Sequence, residues 1–215
     1  MTSAGWRVGS AAVALTAGTL ACSLFRPAAA SPTPAPATPA PTLAPVVSTF
    51  DGSEEAWRSL DAAVSDAPAG VIDQARAHIG DPDDQVRLAA VYALSLAVGP
   101  EDMDVLLPAL EDPQSGLRTI AAGALIGLGA KESIPVLIDA LRSEEAVPGS
   151  HPPLPQWLLA ETALVAYTGQ DFGVGSAVQA GDASAQQAAV EAWSDWWQEF
   201  GAALKWDLAA ERYQE

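Results

Sequence analysis

The sequence predicts an all-α domain, a short right-handed α-solenoid of about three helical pairs closed at its carboxyl-terminal end by a tryptophan-rich cap. Three observations predict it. From Ser53 onward apolar residues fall at helical spacing, with no alternating strand pattern of useful length. Residues 81–111 align without gaps onto residues 112–142, with eleven identities and a period of 31 residues. Near the end, Trp193, Trp196, Trp197 and Phe200 are spaced three, one and three residues apart, which places their rings on one face of a helix.

The repeat has a physical logic. Asp81-Pro82 and Asp112-Pro113 read as the start of the second helix of a pair, with Asp as cap and Pro at the first helical position. Ala90, Ala93 and Leu94 match Ala121, Ala124 and Leu125, a stripe whose small residues allow helices to approach closely. Gly99-Pro100 and Gly129-Ala130 end that helix. Val105, Leu106, Ala109 and Leu110 then match Val136, Leu137, Ala140 and Leu141 as the buried face of the next pair's first helix. Neither helix can bury its apolar face alone, so stacking is required.

Upstream, residues 69–79 supply a degenerate first helix, and residues 53–64 an amino-terminal cap packed through Trp57 and Leu60. A third copy is interrupted. Residues 131–142 give its first helix and 157–168 its second, where Ala160, Ala163 and Leu164 take the places of Ala121, Ala124 and Leu125 at an offset of 39 residues. The eight extra residues fall within 143–155, SEEAVPGSHPPLP, expected to emerge as a loop on one face. Thr168-Gly169-Gln170 and a glycine-rich link lead to the final helix, 185–200.

This unit resembles the HEAT repeat, in the short bacterial form also found in bilin lyases. The resemblance is carried by the Asp-Pro pairs, by Val86-Arg87 and Leu117-Arg118, and by the Ala-Ala-x-x-Ala-Leu run, which ends at Leu94 and, with Ile120 in its first place, at Leu125, and it covers about residues 67–170. The Thr-Gly-Gln turn before a Trp-rich helix is similar to the ending of many bacterial HEAT-like proteins. Such kinship implies a fold and says little about activity, because function resides in sites grafted on folds.

The first fifth of the chain is different in kind. Arg7 followed by the uncharged, mostly small and apolar stretch 8–25 has the profile of a signal peptide. Residues 18–22, ending Ala21-Cys22, resemble the lipobox of bacterial lipoproteins, with Thr19 standing where that pattern prefers Leu. The resemblance implies that residues 1–22 form the signal, that Cys22 is acylated, and that the protein is extracytoplasmic and held at the cell membrane by lipid. An ordinary signal peptide cut near Ala28–Ala30 and an uncleaved anchor are the other readings of this stretch. Residues 23–50 carry prolines at 27, 32, 34, 36, 39, 41 and 45 and read as an extended tether, leaving 51–215 as the folded domain.

All 27 acidic residues lie after residue 50, and two of the ten basic ones lie before it, so 51–215 carries a net charge of −19. That field repels phosphate backbones and anionic headgroups, which disfavours nucleic acid and direct headgroup binding as partners. Cys22 is the single cysteine, and the domain holds only His78 and His151, so no constellation for nucleophilic catalysis or zinc binding is legible. Gly173-Val174-Gly175 is too short for a phosphate loop. No catalytic residue, cofactor or metal is expected. Arg87 and Arg118 recur one repeat apart, and in HEAT-like stacks such an arginine pairs with the turn aspartates, here Asp81, Asp84 or Asp112, rather than with a ligand. Glu144 and Glu145 read as solvated charges, and the Trp193, Trp196 and Trp197 cluster reads as core of the cap rather than a stacking platform.

The expected activity is therefore binding. A membrane-tethered protein-interaction or scaffolding module would present the second helices of its pairs, with Leu88, Tyr92, Thr119 and Gly123 as candidate contacts and a rim around His151 and Trp157. Two rivals remain: an accessory or lyase-like role of the bilin-lyase type, which would need a deep pocket lined by polar groups with shifted ionisation, and an envelope spacer without a specific partner. The lipid reading has a direct test. Mass spectrometry of protein from native membranes should show an acylated amino terminus at Cys22; an intact Met1, or a start near Ser31, rules it out.

Overall fold

A computed structural model of the chain describes residues 44–97 and 99–214. Cys22, the signal at 1–22 and the tether up to residue 43 lie outside the described residues. The packed chain begins before the boundary expected at residue 51. Val47 and Phe50 are buried, the Val47 N–H donates to Gln74 Oε1 at 3.3 Å, and Phe50 meets Trp57 edge-on with ring centroids 4.7 Å apart. Burial of these two apolar side chains outweighs the Pro-rich composition that marked the segment as tether.

The described chain is mostly helical. Helix α1 (Glu54–Asp66) starts where the Ser53 hydroxyl accepts from the Ala56 N–H, and it buries Trp57 and Leu60. Helix α2 (Pro68–His78) follows directly, with Pro68 at its first position, where a missing N–H costs no helical bond. Next come α3 (Asp84–Ala97), the short α4 (Met103–Leu106), α5 (Ser115–Ile126), α6 (Ser133–Ala140) and α7 (Gln156–Thr168). The region around α4 is a chain of short turns, with 3₁₀ segments at Pro100–Asp102 and Leu107–Glu111 on either side of it. Pro108 cannot donate to an i−4 carbonyl and its ring crowds the preceding turn, so a long α-helix cannot form there. Leu106, Ala109 and Leu110 are nevertheless buried, as are Leu137, Ala140 and Leu141 one repeat on.

The repeat turns differ from the expected capping. Asp81 and Asp112 do not cap α3 and α5. Each accepts the N–H two residues on, from Asp83 and Gln114 at 2.9 Å, closing a turn around the proline, and each helix begins three residues after its aspartate. At α3 the helical N–H groups go to Asp83, which accepts from Gln85 and Val86. The recurring arginine knits these turns. Arg87 and Arg118 both donate to the carbonyls of the Asp-Pro pair before them, Asp81 and Pro82 in one case and Asp112 and Pro113 in the other. Arg87 also pairs with the Asp112 carboxylate at 2.8 Å, linking one repeat to the next.

A second inter-element pair lies at the start of the α4 region. Asp102 is buried at 1% exposure and accepts from Arg76 Nε at 2.6 Å and from the Gly99 N–H at 3.2 Å. Burial pushes its carboxyl upward, and the Arg76 hydrogen bond, the Gly99 N–H and the Arg76 charge together more than reverse that, leaving it below the usual carboxylate range.

Beyond α7 the chain holds two elements that its sequence does not announce. Residues expected as a glycine-rich link form α8 (Val174–Gln179) before α9 (Ala183–Phe200), which is capped by Asp182. After α9 a hairpin of β1 (Lys205–Asp207) and β2 (Arg212–Gln214) pairs Trp206 with Tyr213, so the domain is not purely helical. Three-residue strands are too short to show alternation. Helix α9 packs on α6, and β2 on α7. Trp193 and Trp196 are buried while Trp197 and Phe200 are half-buried, and Trp193 meets Phe172 and Trp196 edge-on at 4.9 and 5.6 Å. The Nε1 atoms of Trp193 and Trp196 and the Tyr213 hydroxyl are buried without a partner among the described residues, a cost of about 1–3 kcal/mol each that the buried ring area offsets.

The second helices form the centre of the core. Ala90, Ala93, Leu94, Ala121, Leu125, Ala160 and Leu164 are at 0% exposure, and α3 packs beside α5 and α5 beside α7. Leu125→Ala is expected to lower unfolding free energy by roughly 2–5 kcal/mol. Exposed Glu199→Gln is expected to leave the midpoint unchanged, and similar midpoints for the two variants in urea would refute this core.

Candidate functional site

The inserted segment is the element that shapes the surface of α3, α5 and α7. Residues 143–155 form an ordered hairpin. Ala146 and Pro155 make an antiparallel bridge, the Val147 N–H donates to the Leu154 carbonyl at 2.7 Å, and the Gln156 N–H donates to that of Glu145 at 2.8 Å. The hairpin lies down on the second helices instead of standing free as a rim. Val147 is buried, and a Cβ on Gly116 of α5 would come within 2.6 Å of Pro148. At the tip Gly149 has φ +76°, and a Cβ there would lie 2.6 Å from the Trp57 ring, so both the backbone and the aromatic contact require glycine.

Polar groups fasten it. Buried Gln156 accepts from the Thr119 hydroxyl at 3.1 Å, and the Ser115 hydroxyl donates to Glu145 at 3.0 Å. Trp157 Nε1 donates to Glu144 at 3.2 Å. Glu144 and Glu145 are therefore anchors of the hairpin and not merely solvated charges. Thr119, Leu88 and Trp157, expected as contacts, are at 1%, 5% and 7% exposure, so their side chains belong to the interior. Gly123 is half-buried, and its missing Cβ admits Leu159, whose Cδ2 would lie 2.9 Å away. Its place is in the packing of α5 on α7.

Tyr92 and His151 line one cleft. Between α1, α3, α5, α7 and the hairpin lies an open cleft of about 390 Å³, lined by Asp61, Tyr92, Ser95, Leu96, Ile120, Leu159 and residues 147–151. Its floor is apolar. Ile120 and Leu159 stand one interrupted repeat apart on α5 and α7, and Leu96 on α3 is 53% exposed, a large apolar side chain in water. One end is polar. The Tyr92 hydroxyl donates to Asp61 Oδ1 at 2.9 Å, and its ring meets Trp57 edge-on at 4.9 Å. Burial, then the hydrogen bond to Asp61 and its negative charge, push the Tyr92 hydroxyl up to about 12. It is a neutral donor throughout the physiological range.

Asp61, Leu96, Ile120 and Leu159 were not legible as site residues. Asp61 sits outside the repeated block, and Ile120 and Leu159 each stand one residue before the stripe positions Ala121 and Ala160; only Leu96, off the repeat's apolar stripe, offered a signal. Among the described residues no group of three His, Cys, Asp or Glu side chains could hold a metal ion, and no helix is long and apolar enough to cross a membrane.

Residues 52–147 match the family model described as HEAT repeats. Over that stretch the chain is similar to HEAT repeats. The matched stretch includes α1 to α6 and ends inside the hairpin, so three of the four helices that frame the cleft lie within it. No curated protein and no solved structure matches the chain.

The raised Tyr92 hydroxyl makes an alkaline test of the site. A group whose folded value lies above its unfolded one contributes stability that is fully present below the unfolded value and is lost as pH rises through the folded one. Here that window runs from about 10 to about 12. Tyr92→Phe should therefore show a shallower loss of stability over this window than the parent, measured by urea unfolding, and identical slopes would remove Tyr92 from this role.

Proposed function

We propose that the protein is a membrane-tethered, extracytoplasmic interaction module that takes a segment of a partner protein into the cleft between its second helices and the hairpin, acting by binding and not by catalysis. The observation that carries this reading is Leu96, held at 53% exposure on the floor of a formed apolar cleft. What makes this leucine more than a single exposed apolar residue is its place in a concave, mostly apolar lining, the form that binding sites take. HEAT-like repeats are scaffolds that in general bind proteins, and the matched stretch supplies most of the cleft.

The finer architecture belongs to the same proposal. The helical pairs form a short right-handed solenoid whose second helices face the partner, and α9, packed on α6 with Trp193 and Trp196 buried, closes its end. Residues 1–22 supply a lipoprotein signal with acylation at Cys22, and the Pro-rich stretch holds the domain off the membrane. A lyase-like role of the bilin-lyase type calls for a deep pocket lined by clustered titratable groups; the cleft is open and mostly apolar, which favours the interaction reading.

A photoreactive amino acid in place of Leu96, in the full-length protein in its native membrane, tests this. Irradiation should attach a defined partner, and the same residue in place of Leu208, 81% exposed between β1 and β2 and outside the cleft lining, should not capture it. With the photoreactive residue moved to exposed His151 in the same lining, Leu96→Glu should abolish capture without lowering the melting temperature. Equal capture at positions 96 and 208, or none at Leu96, would favour a spacer and overturn the proposal.

A further inference from the structure

We propose that the cleft recognises a cationic-apolar segment of its partner: an aliphatic side chain seated on Leu96, Ile120 and Leu159, with a neighbouring lysine or arginine paired to Asp61. This inference rests on the interaction reading and gives that partner a chemistry.

The argument begins with the acid at the end of the cleft. Asp61 Oδ1 accepts from Tyr92, which is held neutral, so the hydrogen bond orients the carboxylate without neutralising it. The basic side chain nearest along α1, Arg58, is engaged elsewhere, 4.0 Å from Glu54 and 3.7 Å from Glu55. No lysine or arginine is among the residues lining the cleft, whose remaining polar groups are Ser95, Ser150 and His151. The carboxylate is thus oriented, exposed and set beside apolar surface. A lysine or arginine fits such an end because its aliphatic stem can lie along apolar surface while the charged head reaches the carboxylate.

The wider field points the same way. Residues 51–215 carry a net charge of −19, which draws cationic segments toward the domain and repels acidic ones. Size limits the occupant too. At about 390 Å³ the cleft is near the small end of ligand pockets, enough for one or two side chains of an extended segment and not for a folded surface.

The experiment uses the full-length chain in detergent and immobilised peptides in which Leu and Lys, flanked by Gly and Ser, are separated by zero to three Ser residues. Matched sets carry acetyl-lysine or Glu in place of Lys. At the best spacing the Lys peptide should bind about three- to five-fold more tightly than its acetyl-lysine counterpart, the range of a partly exposed ion pair, and the Glu peptide should bind most weakly. Asp61→Asn should erase the Lys preference while leaving the acetyl-lysine peptide unaffected, and Leu96→Glu should weaken the acetyl-lysine peptide, which relies on the apolar floor. Melting temperatures near that of the parent establish that both variants are folded. Equal binding of Lys and acetyl-lysine peptides, or a Lys preference that survives Asp61→Asn, overturns the cationic partner while leaving an apolar docking cleft. Absence of binding by every peptide overturns the inference, and the crosslink at position 96 then decides the interaction reading separately.

Discussion

Each helical pair in this domain has apolar residues on two sides and can bury only one of them within itself. Everything else follows from how the second side is covered. Between α3, α5 and α7 it is covered by close approach, helped by small residues on these helices: Ala90, Ala93, Ala121 and Ala160 are fully buried, and Gly123 admits Leu159. A larger residue at any of these would hold the helices apart and leave Leu94, Leu125 and Leu164 with voids beside them. Elsewhere the cover is different in kind: Phe50 and Trp57 are buried beside α1, and α9 packs on α6 with Trp193 and Trp196 buried.

The turns between repeats carry the polar part of the same problem. Arg87 ties the Asp81-Pro82 carbonyls to the Asp112 carboxylate, and the pair is shielded, with side-chain exposures of 15% and 8%. One repeat later Arg118 keeps the carbonyl bonds, but the position equivalent to Asp112 is Ser143. In the third repeat the arginine itself is replaced by Trp157. The link there is made by Trp157 Nε1 on Glu144 and by the Trp157 N–H on the Ser143 carbonyl. Where the sequence abandons the arginine, the structure substitutes a different donor and brings in the hairpin to hold it.

That substitution has a consequence for the surface. A regular array would leave the faces of α3, α5 and α7 continuous. The hairpin covers part of this face, reaches across to Trp57, and turns the uncovered remainder into a bounded cleft with an apolar floor and an acidic end. The Tyr92 hydroxyl, kept neutral by burial and by Asp61, joins α3 to α1 at that end.

The repeat, its helical pairs and most of its core positions could be read from the chain, because periodicity survives in sequence whenever each unit must bury the same face. Charge could be read as well, since it needs no geometry. Tyr92 and His151 were proposed from repeat position and from the insertion, and both line the same cleft. Leu88, Thr119 and Trp157 shared the same signals and are interior, because whether a stripe-edge residue faces solvent depends on what the hairpin covers. Asp61 lies 31 residues before Tyr92 and outside the repeated block, and the hydrogen bond between them exists only once α1 docks on α3. The sequence by itself determined what must be buried and the sign of the field around it. Tertiary structure alone decided which face stayed open, because that depended on Gly116, Gly149 and Trp57 meeting around a loop whose own residues carry no periodic signal.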